Sequence, residues 1–460
     1  MFDYAEIARW ANGEWTAVPT RPIVGFCFDS RTVRPGDVFF ALRTGTADGH
    51  DYVLKALAAG AAGAMVCADW TPTGADPASL PLLRVRDPLK AMHAVAAAWR
   101  RKVGAFVIGV TGSVGKSTVK TWTAAFVGDH FRTASTIANF NNDIGLPVSL
   151  TAMAPDAERG VFEVGMNHKG ELAPLCRTLG PNAAIVTAIG PVHIEFFPSV
   201  EAIADEKAEL LRALSADGYA VLDASSPYFA QLAGATRARV VTVRADGGDA
   251  DYAARVVDPL GGVFELSGRR VEAPVRLATG FPGAHNVLNA LYALAAAREC
   301  GVPWEKILSR VADLPAMKMR WERETIDGVN WVNDAYNANP IAMAASLRTF
   351  AGAVADRGRR LYVLGEMREL GADSRRFHVE IGALVAELGG DVLIGVGNAG
   401  GWIIDAARAK GFAGETLQVA DAEAAGRALA GLLRPGDNVL LKASHGVALE
   451  KVFPAYRAAR

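Results

Sequence analysis

A glycine-rich turn between a predicted strand and a predicted helix is the feature that most restricts the fold of this chain. Residues 102–110 form a short apolar run rich in β-branched residues, which predicts a buried strand. The turn follows at residues 111–118 with the sequence TGSVGKST, and residues 117–131 have a helical pattern. A strand–turn–helix unit of this kind is typical of a parallel sheet that binds phosphate groups at a helix N-terminus.

Short apolar strands and helical patterns continue to alternate along the whole 460-residue chain. Further buried strands are predicted at residues 182–190, 219–225, 360–367, 391–397 and 438–444. This alternation is typical of parallel sheets with helices packed on both faces. Changes in the pattern of predicted strands, turns and helices divide the chain into predicted domains at residues 1–87, 88–316 and 317–460. We therefore predict an α/β protein with three domains.

Charge and cysteine content exclude several classes of protein. The chain has 48 Lys and Arg against 49 Asp and Glu, so no bulk basic field supports nucleic-acid binding. Its four cysteines lie far apart without CxxC spacing, which argues against a zinc site or a disulfide scaffold and fits a reducing cytoplasm. Neither a signal peptide nor a membrane-spanning run of about 18 apolar residues is recognisable. We expect a soluble, cytoplasmic protein with no nucleic-acid or membrane partner.

The glycine-rich turn carries the chemistry of a phosphate loop. Gly112 and Gly115 let the backbone curl so that its N–H groups point at phosphate oxygens. Lys116 would reach the β- and γ-phosphates, and the Ser117 hydroxyl would ligate Mg²⁺. The pattern is the short GxxGK[ST] form, because position 110 is Val. The alternative interpretation is an ordinary glycine turn followed by a surface lysine.

Other polar residues of the predicted central domain have a functional and a structural interpretation. Glu163 follows a predicted strand, where it could hold Mg²⁺ or be a solvated acid. His193 follows another strand and could contact a metal or phosphate, although a single histidine is more often structural. Lys207 lies on the next predicted helix, where a lysine is normally a solvated charge. The polar segment at residues 139–147 is predicted to be a loop.

Several motifs together make the chain similar to the Mur ligase superfamily, the ATP-dependent amino-acid and peptide ligases of bacterial cell-wall synthesis. The matching segments are DSRTVRPGDVFFAL with DGHDYV (29–53), TGSVGKSTVK (111–120), NFNNDIGLP (139–147), EVGMNHKGEL (163–172), GPVHIEFF (190–197), GAHNVLNAL (283–291), VNDAYNANP (332–340) and LGEMRELG (364–371). The short phosphate loop is the usual form in this family. The resemblance implies a small mixed α/β N-terminal domain, a central parallel-sheet P-loop ATPase domain and a C-terminal Rossmann-like α/β domain.

The resemblance also implies a reaction. The segments NDAYNANP and NFNNDIG favour the branch that adds D-Ala-D-Ala to UDP-N-acetylmuramoyl-tripeptide through an acyl phosphate, with ATP and Mg²⁺. The N-terminal domain would bind the UDP-linked substrate, and the C-terminal domain would bind the dipeptide. The alternatives are another amide ligase of the superfamily, MurE-like or folylpolyglutamate-synthase-like, or a P-loop ATPase that is not a ligase. A monomer is the plain expectation.

Roles for individual residues follow from the same resemblance. Nucleotide contacts are implied for Gly112, Ser113, Gly115, Lys116, Ser117, Thr118, Asn286, Asn289, Arg320 and Asp334. Metal contacts are implied for Ser117, Glu163, His193 and Lys207, with Lys207 as a lysine carbamylated by CO₂. Catalytic roles are implied for Lys116, His193, Lys207 and Arg320. Substrate contacts are implied for Ser30, Arg31, Asn141, Asn142, Asn337, Asn339 and Lys442.

The chain departs from the family pattern at two places. Val114 stands in the phosphate loop where many relatives have Asn. Residues 442–446 read Lys-Ala-Ser-His-Gly, whereas ligases of this branch usually have a KGSR-like run. The arginine that would hold a substrate carboxylate is therefore missing from this segment, and Lys442 or His445 is the candidate to replace it.

Overall fold

A computed structural model describes residues 1–45, 47–355 and 357–460 of the chain. Strands in this described part form three sheets that follow one another along the sequence, each with helices packed against it. The predicted α/β architecture with three domains is confirmed. Within the same ranges, no helix combines the length and the apolar character needed to cross a bilayer.

The first sheet has the strand order β1-β5-β4-β3-β2 and is parallel except for its edge strand β1. Its strands are β1 (Glu14–Trp15), β2 (Gly25–Cys27), β3 (Asp37–Phe40), β4 (Gly63–Cys67) and β5 (Leu82–Val85), and its helices are α1 (Tyr4–Ala11) and α2 (Val53–Ala58). Strands β3 and β4 are buried along their whole length. They are therefore the centre of this domain, as expected for short parallel strands covered on both faces.

Helix α3 (Pro88–Val103) joins the first sheet to the second and packs against α1. It begins at Asp87, whose side chain accepts from the backbone N–H groups of Leu89 and Lys90. It ends at Gly104, which has the left-handed φ of 71°. The predicted strand at residues 102–110 is therefore wrong at its start, since Val103 is still helical. The helix continues because the buried Arg100 guanidinium donates to carbonyl groups at the end of another helix.

The second sheet has the strand order β14-β13-β12-β11-β10-β9-β6-β8-β7. Its strands are β6 (Phe106–Thr111), β7 (Thr133–Ser135), β8 (Arg159–Glu163), β9 (Ala183–Val186), β10 (Tyr219–Asp223), β11 (Arg239–Arg244), β12 (Tyr252–Asp258), β13 (Val263–Ser267) and β14 (Val275–Ala278). Its helices are α4 (Lys116–Gly128), α5 (Gly145–Thr151), α6 (Leu172–Leu179), α7 (Val200–Lys207), α8 (Glu209–Arg212), α9 (Phe229–Ala233), α10 (Ala284–Glu299) and α11 (Trp304–Val311). Ladders from β6 to β12 are parallel, and the last two are antiparallel.

Strand β6 lies where the strand order reverses, between β8 on one side and β9 on the other. Its side chains alternate between two cores, with Ile108 and Val110 packed under α4 and α10, and Val107 on the opposite face. In open α/β sheets, ligands bind outside the carboxyl ends of the strands at such a switch point. The glycine-rich turn therefore begins at the position where this fold forms a crevice.

The third sheet has the strand order β15-β16-β20-β17-β18-β19, parallel except for its edge strand β15. Its strands are β15 (Glu322–Ile326), β16 (Val329–Asn333), β17 (Arg360–Leu364), β18 (Val392–Val396), β19 (Glu415–Val419) and β20 (Asn438–Lys442). Its helices are α12 (Pro340–Ala353), α13 (Ser374–Leu388), α14 (Gly397–Ala409), α15 (Ala422–Leu432) and α16 (Val452–Ala459). The carboxyl ends of β16, β20 and β17 are adjacent, so the loops that follow them meet at one edge.

Candidate active site

A cavity of about 810 Å³ lies between the carboxyl ends of the strands of the second and third sheets. On one side it is lined by the loops after β6, β8 and β9, and on the other by the loop after β16 and the end of β20. Most of the residues singled out from the sequence line it, namely Ser113, Gly115, Lys116, Ser117, Thr118, Asn141, Asn142, Glu163, His193, Asn286, Asn289, Arg320, Asp334, Asn337, Asn339 and Lys442. Segments far apart in sequence are thus brought to one space.

The phosphate loop joins β6 to α4 through two glycines with left-handed backbone. Gly112 has a φ of 146°, and a Cβ there would lie 1.9 Å from Thr187 Oγ1. Gly115 has a φ of 92° and precedes the first residue of α4. The first backbone N–H groups of a helix have no partner within the helix. They lie beside the Lys116 and Ser117 side chains at the cavity, where a phosphate would satisfy them.

The Ser113 side chain braces the loop. Its backbone N–H donates to the Ala188 carbonyl at 2.8 Å. Its hydroxyl donates to the Gly190 carbonyl and accepts from the Gly190 N–H, both at 3.0 Å. Ser113 was predicted to contact nucleotide, but its polar groups are engaged with the segment after β9. The loop is therefore held rigidly against a neighbouring strand.

Helix α10 supports the other side of the phosphate loop through two asparagines. A Cβ on Gly115 would lie 2.6 Å from Asn289 Oδ1, so the glycine permits the close approach of this helix. Asn289 Nδ2 donates to Asn286 Oδ1 at 3.3 Å, and Asn286 Nδ2 donates to the Pro282 carbonyl at 2.8 Å. The two asparagines therefore lie next to the phosphate loop in a fixed orientation.

Glu163 is a buried carboxylate with one oxygen left without a protein partner. It is 2% exposed, and its Oε1 accepts from Asn141 Nδ2 at 2.7 Å. Its Oε2 is buried and has no hydrogen-bond partner among the residues that the structure describes. A buried, unpaired carboxylate oxygen facing a polar cavity is costly unless a cation or donor completes it. Together with the Ser117 hydroxyl, it fits a magnesium ion that takes its other ligands from phosphate and water.

The described residues do not form an all-protein metal cage. Within them, no group of three or more His, Cys, Asp or Glu side chains converges on one point. Mg²⁺ commonly binds through one or two carboxylates and substrate phosphates, so this arrangement is compatible with it.

Asn142 does not contact Glu163 as Asn141 does; its Oδ1 accepts from the Gly145 N–H at 2.9 Å. Helix α5 therefore begins at Gly145, inside the segment 139–147 that was predicted to be a loop throughout.

Two lysines near the phosphate loop are electrostatically unusual. Lys116 Nζ donates to the Gly112 carbonyl at 2.9 Å. Burial lowers the pKa of Lys116, and the Glu163 carboxylate opposes that shift. Lys207 ends α7 as predicted, but it is only 2% exposed instead of solvated. Burial, reinforced by the Lys116 charge, lowers the pKa of Lys207 well below its ordinary value.

Arg320 reaches from the third domain into the phosphate loop. Its Nη2 donates to Ser117 Oγ at 3.0 Å. Its guanidinium carbon lies 4.2 Å from the centre of the Tyr336 ring, an arrangement that orients the cation. The segment just before Arg320 is also held, since Trp122 Nε1 of α4 donates to the Pro315 carbonyl at 3.1 Å. Arg320 is therefore positioned to contact an anion held by the loop.

Lys442 is committed to protein partners. Its ammonium donates to Asp334 Oδ2 at 2.6 Å, to the Asp334 carbonyl at 3.0 Å and to the Asn337 carbonyl at 3.2 Å. An ammonium has three donors, so these bonds use all of them. Its side chain is 3% exposed. Lys442 therefore positions Asp334 and the loop after β16, and the predicted direct substrate contact would require one of these bonds to break.

A second cavity of about 380 Å³ adjoins the first at His193 and Asn337. It is lined by residues 336–339, by residues 444–446, and by Arg368 and Glu369. His193 has a left-handed φ of 59°, and its Nδ1 is paired with Glu369 across the two domains. Burial lowers the pKa of His193, while the Glu369 carboxylate raises it.

Four of the predicted site residues line neither cavity, namely Ser30, Arg31, Gly112 and Lys207. Ser30 and Arg31 are in the loop after β2, outside both cavities, and Arg31 pairs with Asp29 at 2.7 Å. The bond lowers the pKa of Asp29 to about 2. Asn339 lines both cavities, yet its Oδ1 accepts from the Ala342 N–H at 2.9 Å and starts α12.

Four residues that line these cavities were not among the predicted site residues, although they lie inside the matching motifs. His285 lies in the GAHNVLNAL segment and lines the larger cavity. Desolvation inside the cavity lowers the pKa of His285. Tyr336 directly precedes Asn337 in NDAYNANP, and its ring lies against the Arg320 guanidinium. Arg368 and Glu369 lie in LGEMRELG, where two consecutive charged residues after a buried strand were a usable signal.

Comparisons with known proteins agree with this architecture. Residues 22–100 match the family described as "Mur ligase family, catalytic domain", residues 110–297 match "Mur ligase middle domain", and residues 319–445 match "Mur ligase, glutamate ligase domain". A UDP-N-acetylmuramoyl-tripeptide–D-alanyl-D-alanine ligase from Mycobacterium tuberculosis is 35% identical over 465 residues, covering 93% of this chain and 91% of that protein.

Solved structures give the same result. The crystal structure of MurF from Acinetobacter baumannii superposes with a TM-score of 0.88 and 26% identity, covering 98% of both chains. MurF from Thermotoga maritima in complex with ADP superposes with a TM-score of 0.79 and 26% identity, covering 96% of this chain and 98% of that chain. With three matching domains in this order and a relative of this identity over nearly the whole length, the chain belongs to the Mur ligase family.

Proposed function

We propose that this chain is an ATP-dependent ligase that joins D-Ala-D-Ala to UDP-N-acetylmuramoyl-tripeptide, a step of peptidoglycan precursor synthesis. Relatives from Mycobacterium tuberculosis and Bacillus subtilis carry this activity in their names, at 35% and 32% identity. The observation that carries the proposal is the meeting of two cavities at His193 and Asn337. The larger cavity is lined by the phosphate loop, and the smaller cavity adjoins it on the side of the third domain. A reaction between an activated acid and a second substrate requires two such adjoining spaces.

The first step joins the acid to phosphate. The terminal carboxylate of the tripeptide attacks the γ-phosphorus of ATP, the bond to the β-phosphate oxygen breaks, and ADP leaves. Lys116, the N-terminus of α4 and Arg320 supply positive charge around the transferring group. Because phosphoryl transfer needs positioning and charge stabilisation more than covalent catalysis by the protein, these fixed cations are the main contribution of the chain.

The second step forms the amide. The free amine of the dipeptide attacks the acyl carbon, loses a proton, and the tetrahedral intermediate expels phosphate. The amine would approach from the smaller cavity, whose lining includes Asn337 and Glu369. The bonds from Arg320 to Ser117 and from His193 to Glu369 hold the two domains together around the reacting groups. Excluding water there protects the acyl phosphate from hydrolysis.

Mg²⁺ and a carbamylated Lys207 are the finer parts of the proposal. The unpaired Glu163 Oε2 and the Ser117 hydroxyl would hold Mg²⁺, with His193 beside them. When bound, the ion would neutralise phosphate charge. CO₂ reacts with a neutral amine, and the lowered pKa of Lys207 favours that form. The reaction of CO₂ with this amine releases a proton and gives a carbamate, an anion that suits the proposed metal.

We also propose a division of tasks, a compartment and an oligomeric state. Residues 1–87 would bind the UDP group through the loop containing Ser30 and Arg31, residues 88–316 would bind ATP, and residues 317–460 would bind the dipeptide. The contact between Phe28 and Phe140, with ring centres 5.8 Å apart, supports continuity from the first domain to the cavity. Four buried, unbridged cysteines fit the reducing cytoplasm. We propose that the protein acts as a monomer.

Product mass spectrometry tests the function directly. Purified protein is incubated with ATP, Mg²⁺, D-Ala-D-Ala and UDP-N-acetylmuramoyl-tripeptide, using meso-diaminopimelate and L-lysine forms of the tripeptide in parallel. We expect a product that is heavier than the UDP-linked tripeptide by one D-Ala-D-Ala unit, with one ADP formed for each amide. The Lys116→Ala variant should form no product. ATP hydrolysis without an amide product would contradict the ligase and favour a P-loop ATPase. A product formed with a single amino acid in place of the dipeptide would favour a MurE-like ligase.

A further inference from the structure

The smaller cavity presents one guanidinium group, that of Arg368, among the residues that the structure describes. The other basic side chains of its lining are His193 and His445. His193 is paired with Glu369, and the His445 ring lies 5.9 Å from the Tyr336 ring. An incoming dipeptide brings a free carboxylate as well as its amine. An arginine is the side chain best suited to bind such a group, because its planar fork matches a carboxylate.

Arg368 is held at the cavity by contacts with the next loop of the third sheet. Its backbone N–H donates to Ser444 Oγ at 2.9 Å, and the Ser444 N–H donates to the Glu366 carbonyl at 2.9 Å. The loops after β17 and β20 are therefore joined by hydrogen bonds in both directions. The Arg368 backbone is fixed relative to residues 444–446, so its side chain starts from a defined position.

The Arg368 guanidinium lies against a glycine. Its Nη2 donates to the Gly446 carbonyl at 3.1 Å, and its Nε donates to Glu366 Oε2 at 3.1 Å. A Cβ on Gly446 would lie 2.0 Å from Arg368 Nη1, so the absence of a side chain makes room for the guanidinium. In the described part of the chain, Nη1 donates no hydrogen bond. The side chain is 52% exposed and keeps donors for a ligand.

The two candidates taken from the sequence for the missing cation are less suitable. The Lys442 ammonium donates all three of its N–H groups, two to Asp334 and one to the Asn337 carbonyl. His445 would need to be protonated to match a guanidinium as a partner for an anion. Arg368 comes from a different strand end, yet it occupies the space beside residues 444–446, where the sequence pattern lacked an arginine.

We infer that Arg368 binds the terminal carboxylate of the incoming dipeptide and thereby selects a substrate with a free carboxyl end. The inference rests on the proposed function, because it assigns a residue to the second substrate of that reaction. Glu366 holds one edge of the guanidinium, and the remaining N–H groups donate to the carboxylate oxygens. Anchoring the carboxyl end leaves the amine free to point toward the larger cavity, where the acyl phosphate forms.

Steady-state kinetics with two acceptors test this assignment. Wild type and Arg368→Leu are compared with D-Ala-D-Ala and with D-alanyl-D-alaninamide, which lacks the charged carboxylate. For D-Ala-D-Ala, we expect Arg368→Leu to raise KM by roughly 10- to 100-fold, as for loss of a charged hydrogen bond. The kcat/KM of wild type should be higher for the acid than for the amide by a similar factor. For Arg368→Leu, the two kcat/KM values should differ by less than about threefold. The KM values for ATP and the UDP-linked tripeptide should not change.

Control variants separate recognition from folding. Arg376→Leu removes an exposed arginine of the same domain that pairs with Asp373 and Glu380, and it should behave as wild type. Arg368→Lys keeps the charge but loses the planar fork, so its KM for the dipeptide should lie between those of wild type and Arg368→Leu. If Arg368→Leu does not fold, the comparison is made between wild type and Arg368→Lys.

Three outcomes would overturn the inference. In the first, Arg368→Leu or Arg368→Lys keeps the wild-type KM for the dipeptide. In the second, the variant keeps the wild-type preference for the acid over the amide. In the third, the wild-type protein forms no amide from either acceptor, which overturns the proposed function and the inference together. Because the first two occur only when wild type is active, the failure of each hypothesis is recognised separately.

Discussion

Arg320 and Ser117 are 203 residues apart in the chain, and the Arg320 Nη2 donates to the Ser117 hydroxyl at 3.0 Å. The serine belongs to the helix that follows the phosphate loop, and the arginine precedes the first strand of the third sheet. This bond therefore places a cation of one domain at the N-terminus of a helix in another. It makes the contact between the two domains part of the candidate active site.

Arg320→Ala is expected to lower turnover without unfolding the protein. Removing a cation aimed at the transferring phosphoryl group should reduce kcat by roughly 100- to 1000-fold. Arg320 is only partly buried, and its loss leaves no orphaned acceptor, because the Ser117 hydroxyl can bind water. The melting temperature should change by no more than about 3 °C. Product formation and thermal melting are measured on the same preparation.

Lys318→Ala is the matched control for Arg320→Ala, because Lys318 is an exposed cation two residues away. It should retain wild-type turnover. A large loss of melting temperature in Arg320→Ala, with kcat per folded molecule unchanged, would identify Arg320 as a structural brace between domains.

Gly112→Ala is expected to disrupt the phosphate loop. The new Cβ would lie 1.9 Å from Thr187 Oγ1, and the φ of 146° is unfavourable for alanine. We expect a loss of about 1–3 kcal/mol in the free energy of unfolding and a weaker affinity for ADP. Urea unfolding and calorimetric titration with ADP measure the two effects.

Gly128→Ala is the matched control for Gly112→Ala. Gly128 is the last residue of α4, the helix that follows the phosphate loop. Nothing lies within 4 Å of a Cβ there, and its backbone is helical. This variant should be neutral or more stable than wild type by about 0.4–1 kcal/mol. Equal ADP affinity in Gly112→Ala and Gly128→Ala would contradict the phosphate-loop assignment.

Lys207 is expected to carry a carbamate when CO₂ is present. Protein equilibrated with carbon-13-labelled bicarbonate should give a carbamate carbon resonance, because burial lowers the pKa of Lys207 and favours the neutral amine. Lys207→Met should lack the resonance and lose turnover by about 100-fold. Lys169→Met changes an exposed lysine and should keep both. A carbamate signal that persists in Lys207→Met would exclude this lysine as its origin.

His378 is expected to make the folded protein less stable in acid. It is fully buried, its Nε2 accepts from the Met367 N–H at 2.8 Å, and its Nδ1 contacts the Ser374 carbonyl at 2.6 Å, so it is held neutral. Burial lowers the pKa of His378, so below the ordinary histidine pKa of about 6.5 the unfolded chain binds more protons than the folded one. The free energy of unfolding therefore falls as the pH falls through that range.

Urea unfolding at about pH 7 and about pH 5 measures this effect in wild type and His378→Gln. The variant should be less stable at the higher pH by about 1–3 kcal/mol, because Met367 and Ser374 lose partners. It should lose less stability on acidification than wild type. Some slope should persist, since burial also lowers the pKa of His93 and His193. His130→Gln changes an exposed ring and should keep the full wild-type slope; an equal slope in His378→Gln would contradict the assignment.

Local signals in the sequence were enough for the class of fold and for the position of the glycine-rich turn between β6 and α4. Short β-branched runs identify buried parallel strands because both faces of such strands are covered. The glycines of TGSVGKST identify the loop because their backbone φ values, 146° and 92°, are available at little cost only to glycine. Strand ends were less well predicted, as at Val103, because a helix can extend when tertiary contacts satisfy its last residues.

Sequence by itself determined the chemical types present at the site, and only the tertiary structure decided which of them are free to act. The burial of Lys207, the saturation of Lys442 and the seat of Arg368 beside Gly446 depend on strands that are adjacent in space but distant in the chain. A lysine on a helix has the same local pattern whether it faces water or a phosphate loop. The physical reason is that burial and pairing are properties of the neighbours of a residue, which the order of strands in the sheets selects.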